Sequence, residues 1–453
     1  MSRKPLEGIR IVESTYVYAF PYAAGLLADL GAEVIKIEGP GHIDTTRGGQ
    51  FAGAFPDNEA GDDPWNRAAG FNQLNRGKKS LTLDLSKDEG QAVLKDLLSV
   101  TDIFMENYTP RVMRRWKLDY PNLKKLKPDI IMASNTGYGH GEGPYSQYPA
   151  QATTQEGTHG LVHITGYRGD DSPSKAGQSY VDFISCWAAL LGISMALRYR
   201  NQTGKGQWID IGMYQLGCLG SSEYVMDWIA NEKLGGPIGN RHPWRAPQGC
   251  YQCSGKDQWC VISVGDDEEW AALCRTMGKD GLIEDPKFAS SFNRVKNHEE
   301  LDSIISSWTK GVEKFQVMEQ LQGAGVPAAP VQDSRDANLS EQYWATGFLE
   351  KVTYPEDRKM GQRVIMGRPW HHDKAKMDVQ VRGPGPKLGG SNNEILKGTL
   401  GYSQAQVHEL EELGIIAERP TDPRPVPTLG LDEMVRRGRY AYHDPDYKRK
   451  LGI

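Results

Sequence analysis

Cysteine is scarce in this chain: six in 453 residues, too few for a disulfide framework. Cys250 and Cys253 are spaced Cys-x-x-Cys, with Cys260 and Cys274 further on. No second Cys-x-x-Cys follows, so no metal site is expected and these read as core or strand thiols. Charge of one sign is also lacking. Lys and Arg number 53 against 58 Asp and Glu, a net charge of −5, which gives no case for nucleic acid or a membrane as the main partner. No run of about 18 apolar residues free of charge is apparent, and no signal-peptide core precedes the first strand pattern, so a cytoplasmic protein is expected. Internal repeats and low-complexity segments are absent.

The short catalytic motifs are missing too. No Gly-x-Gly-x-x-Gly follows the first strand pattern. The nearest candidate, Gly137-Tyr138-Gly139-His140-Gly141, lacks the third glycine at the right place, which argues against a dinucleotide site. There is no Walker-type phosphate loop, no Gly-x-Ser-x-Gly elbow and no His-Glu-x-x-His, so nucleotide hydrolysis, serine-hydrolase chemistry and zinc proteolysis lose their main signals.

What is present is alternation. Residues 9–12 read as a strand, 21–30 as an apolar-rich helix and 33–37 as a strand, a unit of the kind that builds parallel sheets. Residues 80–85, 102–105 and 129–133 continue the strands. Ser86-Lys87-Asp88-Glu89 reads as a capping box opening a helix to Leu98, and a short helix closes at 123–126. This is the pattern of an α/β doubly wound domain. Composition shifts after Ser222. Residues 249–264 read as an antiparallel hairpin, and 266–276, 297–308 and 312–322 as helices, giving a smaller α+β region. Residues 324–330, rich in Ala and Pro, read as its exit. A second capping box at Ser403-Gln404-Ala405-Gln406 starts a helix that Gly414 stops. Four prolines between 420 and 427 predict an extended stretch.

The stretch from Gln178 to Tyr214 organises the rest. Apolar residues lie on every side from Val181 to Leu197, which predicts a helix with little surface facing water. Asp182 sits in its first turn, where the helix dipole and unpaired N–H groups favour the ionised carboxylate. Spacing alone makes Asp182 a helix-start residue. An ionised carboxylate at the mouth of a dry helix is also a possible nucleophile.

A set of ordered pieces resembles the class III coenzyme A transferases, the family of formyl-CoA transferase and crotonobetainyl-CoA:carnitine CoA-transferase. The pieces run from Leu6 to about Ile416. They are Leu6-Glu7-Gly8-Ile9-Arg10-Ile11-Val12, Leu27-Ala28-Asp29-Leu30-Gly31-Ala32-Glu33-Val34-Ile35-Lys36-Ile37-Glu38, Asp44-Thr45-Thr46-Arg47, Asn75-Arg76-Gly77-Lys78-Lys79-Ser80, Glu106-Asn107-Tyr108, Gly137-Tyr138-Gly139, Thr203-Gly204-Lys205-Gly206-Gln207 and Pro386-Lys387-Leu388-Gly389. The resemblance implies a Rossmann-like large domain built from both chain ends, with a smaller α+β domain inserted. The expected boundaries are 1–224, 225–330 and 331–416, with an extended C-terminal arm at 417–453 placed on a partner subunit. It also implies an interlocked homodimer, with a hetero-oligomer containing a paralogous subunit as the alternative.

In register with the family, Asp182 falls on the catalytic aspartate, which carries coenzyme A as a thioester between two half-reactions without ATP or metal. Tyr18, Ala19, Leu83, Asn107, Tyr108, Arg115, Gly137, Tyr138 and Met213 align with CoA-contacting positions. Arg115 is the phosphate candidate, because its guanidinium fork suits phosphate oxygens. Acyl-CoA and a carboxylic acid are the implied substrates, with no tightly bound cofactor.

Three departures from formyl-CoA transferase point to an acceptor larger than formate. Gly39 and Gly49 stand where that enzyme has an arginine and a tryptophan, and Arg241-His242-Pro243-Trp244-Arg245 occupies the region of its four-glycine loop. His242 or Arg245 is a candidate for holding a second carboxylate, and Trp244 for lining an aromatic or apolar acceptor pocket. The expected acceptor is therefore an aromatic, branched or dicarboxylic acid, with succinyl-CoA as donor. Two alternatives remain: a 2-methylacyl-CoA racemase of the same fold, using His140 in an acid–base pair, and a partner subunit with little chemistry of its own.

Overall fold

The computed structural model describes residues 4–48, 53–177, 179–371, 379–423, 426 and 428–453. Gly49, one of the three departures, lies outside the described residues.

Strands β1 (Arg10–Ser14), β2 (Glu33–Glu38), β3 (Lys79–Thr82), β4 (Ile103–Glu106), β5 (Ile131–Thr136) and β6 (Trp208–Gly212) form one sheet. Its order is β3-β2-β1-β4-β5-β6, and every pair is parallel. That is the doubly wound order, in which the chain reverses direction beside β1 and leaves a crevice at the carboxyl ends of β1 and β4. Side chains alternate across the pleat. Val12, Ile35 and Phe104 join a core with Leu94 and Leu97 of the Asp88–Ser99 helix and, from the far end of the chain, Leu396, Val407 and Leu410. Ile11, Val34 and Ile103 join the opposite core with α1 (Ala19–Asp29) and the Tyr180–Thr203 helix.

The chain divides into two compact units. The larger takes Met1–Gly160, Gly177–Ser222 and Leu339–Ile453; the smaller takes Leu161–Ala176 and Glu223–Asn338. Segment 161–176 thus groups with the smaller unit, although the boundaries implied by the resemblance put it in the larger. In the smaller unit, β7 (Gln248–Gln252), β8 (Trp259–Ser263) and β9 (Ala328–Pro330) form an antiparallel sheet. β9 is the segment read from sequence as an exit. Its Ala and Pro content hides a short edge strand, which tolerates proline. Helices Asp267–Thr276, His298–Thr309 and Lys314–Gly323 cover this sheet around Trp270, Leu273, Leu301 and Val317.

Other details also differ from expectation. The Asp88–Ser99 helix has Lys87 at its N-cap with no side-chain cap; Asp84 Oδ1 instead accepts from the N–H and hydroxyl of Ser86. The second capping box forms between Ser403 and Gln406, and Gly414 follows in a left-handed conformation with φ 65°. The C-terminal segment is not wholly extended: it carries helices Leu431–Arg436 and Tyr447–Leu451. It lies on its own larger unit, where Thr421 N–H donates to Pro40 O at 2.9 Å, Asn58 Nδ2 to Leu429 O at 2.7 Å and the Tyr447 hydroxyl to Asp57 Oδ1 at 2.6 Å.

The Tyr180–Thr203 helix is long and apolar enough to cross a membrane by length and composition alone, and it corrects the expectation that little of its surface faces water. Its apolar excess has two local uses. Cys186, Ala189, Ile193 and Ala196 pack into the core beside α1. Phe183, Trp187, Leu191, Met195 and Tyr199, each four residues apart, form a stripe exposed to solvent.

Candidate active site

Asp182 is the third residue of the Tyr180–Thr203 helix and is 9% exposed. It lines a cavity of about 180 Å³ in the larger unit, so its oxygens are not sealed in a packed interior. The cavity collects loops from the carboxyl ends of four strands. Tyr16, Val17, Tyr18 and Ala19 follow β1; Asn107 and Tyr108 follow β4; Gly137 follows β5; Met213 follows β6. This is the crevice that the strand order creates.

The turn after β1 is held from several sides. Asn107 Oδ1 accepts from Tyr16 N–H at 3.0 Å, and its Nδ2 donates to Tyr16 O at 2.8 Å. Asp44 Oδ1 lies 3.3 Å from Val17 N, and buried Lys36 donates to Thr15 O at 2.7 Å. Lys36 also pairs with Asp44 at 3.0 Å, while Glu13 pairs with buried Lys78 at 2.6 Å. These charges are paired away from water, so deleting one partner costs about 3–5 kcal/mol. Together they hold Val17 at φ 73°, a conformation that a β-branched residue adopts only when its surroundings impose it. Ala19 then opens α1, and its N–H belongs to the unpaired first helical turn.

Electrostatics at Asp182 depart from the sequence expectation of a readily ionised carboxylate. Burial first, and the negative charge of Glu156 second, push its pKa up to about 7. The carboxylate accepts no hydrogen bond from the described residues, so nothing specific offsets its desolvation. Glu156 was missed by sequence reasoning. It lies in the Ala152–Thr158 helix, is fully buried, and accepts from Tyr180 N–H at 3.0 Å. It thus caps the very helix that carries Asp182. Its one sequence signal is a carboxylate among apolar and hydroxyl neighbours, which does not identify a partner 24 residues away.

Of the other aligned positions, Tyr18, Ala19, Asn107, Tyr108, Gly137 and Met213 line the Asp182 cavity, and three do not. Leu83 is fully buried in the core. Arg115 is exposed at the end of the Pro110–Arg115 helix. Tyr138 packs on Tyr145, Tyr148 and Tyr214, and only Tyr148 of that cluster reaches the cavity. His140 also lies off the cavity, between Asp210 and Glu106.

The smaller unit has its own cavity of about 640 Å³, with Arg241, His242, Tyr251, His298 and Asp302 among its lining residues. Asp302 accepts from Arg241 at 2.8 Å and from the Tyr251 hydroxyl at 2.9 Å. Trp244 and Arg245 are not among the lining residues; both are exposed. His242 Nδ1 accepts the Trp244 N–H at 3.1 Å. Among the described residues no group of three or more His, Cys, Asp or Glu side chains is placed to hold a metal ion.

A parallel doubly wound sheet with a desolvated carboxylate at its switch point defines a carboxylate-centred α/β protein. The chain belongs to CoA-transferase family III: the family model matches residues 6–392. The succinyl-CoA:glutarate CoA-transferase of Mus musculus is 31% identical over 422 residues, covering 93% of this chain and 92% of that protein. The succinyl-CoA–L-malate CoA-transferase beta subunit of Chloroflexus aurantiacus is 29% identical, over 91% of this chain and 98% of its own. Among solved structures, a CAIB/BAIF family protein from Brucella suis superposes with TM-score 0.77 at 29% identity, over 88% of this chain and 100% of that one.

Proposed function

We propose that this CoA-transferase moves coenzyme A from succinyl-CoA to a second carboxylic acid, a dicarboxylate, through a covalent thioester on Asp182. The observation that carries the reading is the position of Asp182: a buried carboxylate opening into a cavity at the sheet's switch point. The names of the relatives support the substrate pair, since succinyl-CoA recurs with glutarate and malate.

In this reading an Asp182 oxygen attacks the thioester carbonyl, giving a mixed anhydride and expelling CoA thiolate. The thiolate attacks Cγ of Asp182, forming the aspartyl-CoA thioester and releasing the donor carboxylate. The acceptor carboxylate then attacks Cγ and expels the thiolate. Attack of the thiolate on the acceptor acyl carbon gives the product thioester and restores Asp182. Each tetrahedral oxyanion needs N–H donors, and the first turn of α1 at Ala19 is the candidate source. Desolvation suits a step that must exclude water. It also leaves the carboxylate unsolvated, which raises its nucleophilicity once ionised.

The exposed stripe from Phe183 to Tyr199 supports self-association, because five large apolar side chains on one helix face are costly to leave wet. The racemase alternative gains nothing from the geometry, since His140 is not in the cavity wall. The test is to incubate the purified chain with succinyl-CoA and a panel of acids, and to read new CoA esters by mass spectrometry. Glutarate-like dicarboxylates give product; if only α-proton exchange occurs and no acid is esterified, the reading fails.

A further inference from the structure

Behind the Asn107–Tyr108 wall of the cavity lies an acid–imidazole–acid cluster that the transfer steps do not use, buried at its Glu106 end and exposed at its Asp210 end. Glu106 ends β4 and is fully buried. Its Oε2 accepts the Tyr108 N–H at 2.9 Å. His140 follows β5, its ring edge-on to Trp208 at 5.3 Å between centroids. Both oxygens of Asp210 on β6 are turned to His140: Oδ2 accepts its backbone N–H at 2.8 Å, and Oδ1 lies 3.1 Å from Nδ1. Nδ1 therefore carries a hydrogen. The other ring nitrogen, Nε2, lies 3.5 Å from Glu106 Oε1, and both of these atoms are buried without a hydrogen-bond partner.

A neutral imidazole protonated on Nδ1 presents a lone pair at Nε2, and an ionised carboxylate presents lone pairs at Oε1. Two such atoms face each other in a dry site only if a proton lies between them. We propose that His140 and Glu106 share one proton, and that this proton fixes the Asn107–Tyr108 wall against which acyl-CoA binds, making His140 a positioning residue. The ligand in this statement rests on the CoA-transfer reading; the shared proton does not.

The link to the cavity is short. Glu106 holds Tyr108 N–H, the Tyr108 hydroxyl is 3.0 Å from Ser14 Oγ, and Asn107 between them clamps Tyr16. The groups acting on Glu106 are His140, Ser134, Tyr108 and Asp210. Burial, with the negative charge of Asp210 acting in the same direction, outweighs His140, Ser134 and Tyr108 and pushes its pKa up to about 7. Lys36 on β2 acts on the Tyr108 hydroxyl, and Trp208 Nε1 donates to Ser134 Oγ at 3.0 Å. The proton is present below the raised pKa and lost as pH rises through it, so the wall loosens on the alkaline side.

The test uses the full chain labelled with ¹⁵N-histidine, the His140 signals being assigned by their loss in His140→Gln. Between about pH 6 and 9, Nδ1 stays protonated while Nε2 changes environment in the wild type. In Glu106→Gln the change disappears, because the amide N–H supplies the hydrogen at every pH. In parallel, KM for acyl-CoA rises several-fold across that range in the wild type and is flat in Glu106→Gln. His140→Ala has a raised KM throughout, which His140→Gln largely restores. The proposal is overturned if His140 titrates like a solvated imidazole regardless of Glu106, or if Glu106→Gln keeps the wild-type KM profile. A chain with no CoA transfer at all sinks the functional reading instead, and the NMR titration still decides the proton.

Discussion

Two influences oppose one another at Asp182. The first helical turn favours the anion by its dipole and unpaired N–H groups. Burial and the Glu156 carboxylate favour the acid and win, raising the pKa from 3.8 to about 7. The folded chain therefore binds this proton more tightly than the unfolded chain. Between about pH 4 and 7 its stability falls as pH rises, and above about 7 the full cost of the buried charge is carried. That difference corresponds to at most about 4 kcal/mol. Asp182→Asn removes that cost. Thermal unfolding should show the variant more stable than the wild type at pH 8 by a few degrees, and by clearly less at pH 5. An equal gain at both pH values would mean the carboxyl is not desolvated. The position of Asp182 in a first turn was legible from local pattern. The role proposed for it came only from the ordered family pieces. Its environment was not legible, because Glu156 and the turn after β1 reach it through tertiary packing.

At the scale of elements, the Thr203-Gly204-Lys205-Gly206-Gln207 piece shows how a motif far from the chemistry serves it. Gly204 ends the long helix in a left-handed conformation, φ 69°, where a side chain is strained. At Gly206 a Cβ would lie 1.9 Å from Ile130 O, just before β5. The glycine lets the chain pass close to that carbonyl and enter β6 in register with β5, which sets Met213 in the cavity wall. Gly206→Ala forces the backbone apart and should cost about 1–3 kcal/mol, read as a lower urea midpoint together with reduced transfer activity. A neutral result would mean that this close approach is dispensable. The strand–helix alternation of the larger unit was legible because its period changes from element to element. β9 was not, since three residues of Ala and Pro carry no period. The Asp88–Ser99 helix start was misread because Asp84, outside the four-residue pattern, captures Ser86.

For the whole molecule, the misjudged exposure of the Tyr180–Thr203 helix is informative. A helix apolar on every side reads as buried, but sequence does not say whether the cover is the same chain or another. Leu191 and Met195 remain 64% and 62% exposed in the single chain. If a second copy covers this face, as proposed, Leu191→Lys with Met195→Lys should shift the mass measured by light scattering from dimer to monomer while preserving the far-UV circular dichroism. An unchanged dimer would place the interface elsewhere. The C-terminal segment was equally opaque: its prolines announced extension, but the contacts that bind it to Asp57 and Pro40 join residues hundreds of positions apart.

The central claim is that one carboxylate carries coenzyme A. The most direct measurement is to mix the protein with succinyl-CoA without an acceptor acid, digest it after brief quenching, and map adducts by mass spectrometry, with hydroxylamine trapping in parallel. The account predicts a CoA thioester, or its hydroxamate, on the peptide containing Asp182, and neither adduct nor turnover in Asp182→Ala. Turnover that persists in Asp182→Ala, or an adduct on another residue, would contradict it.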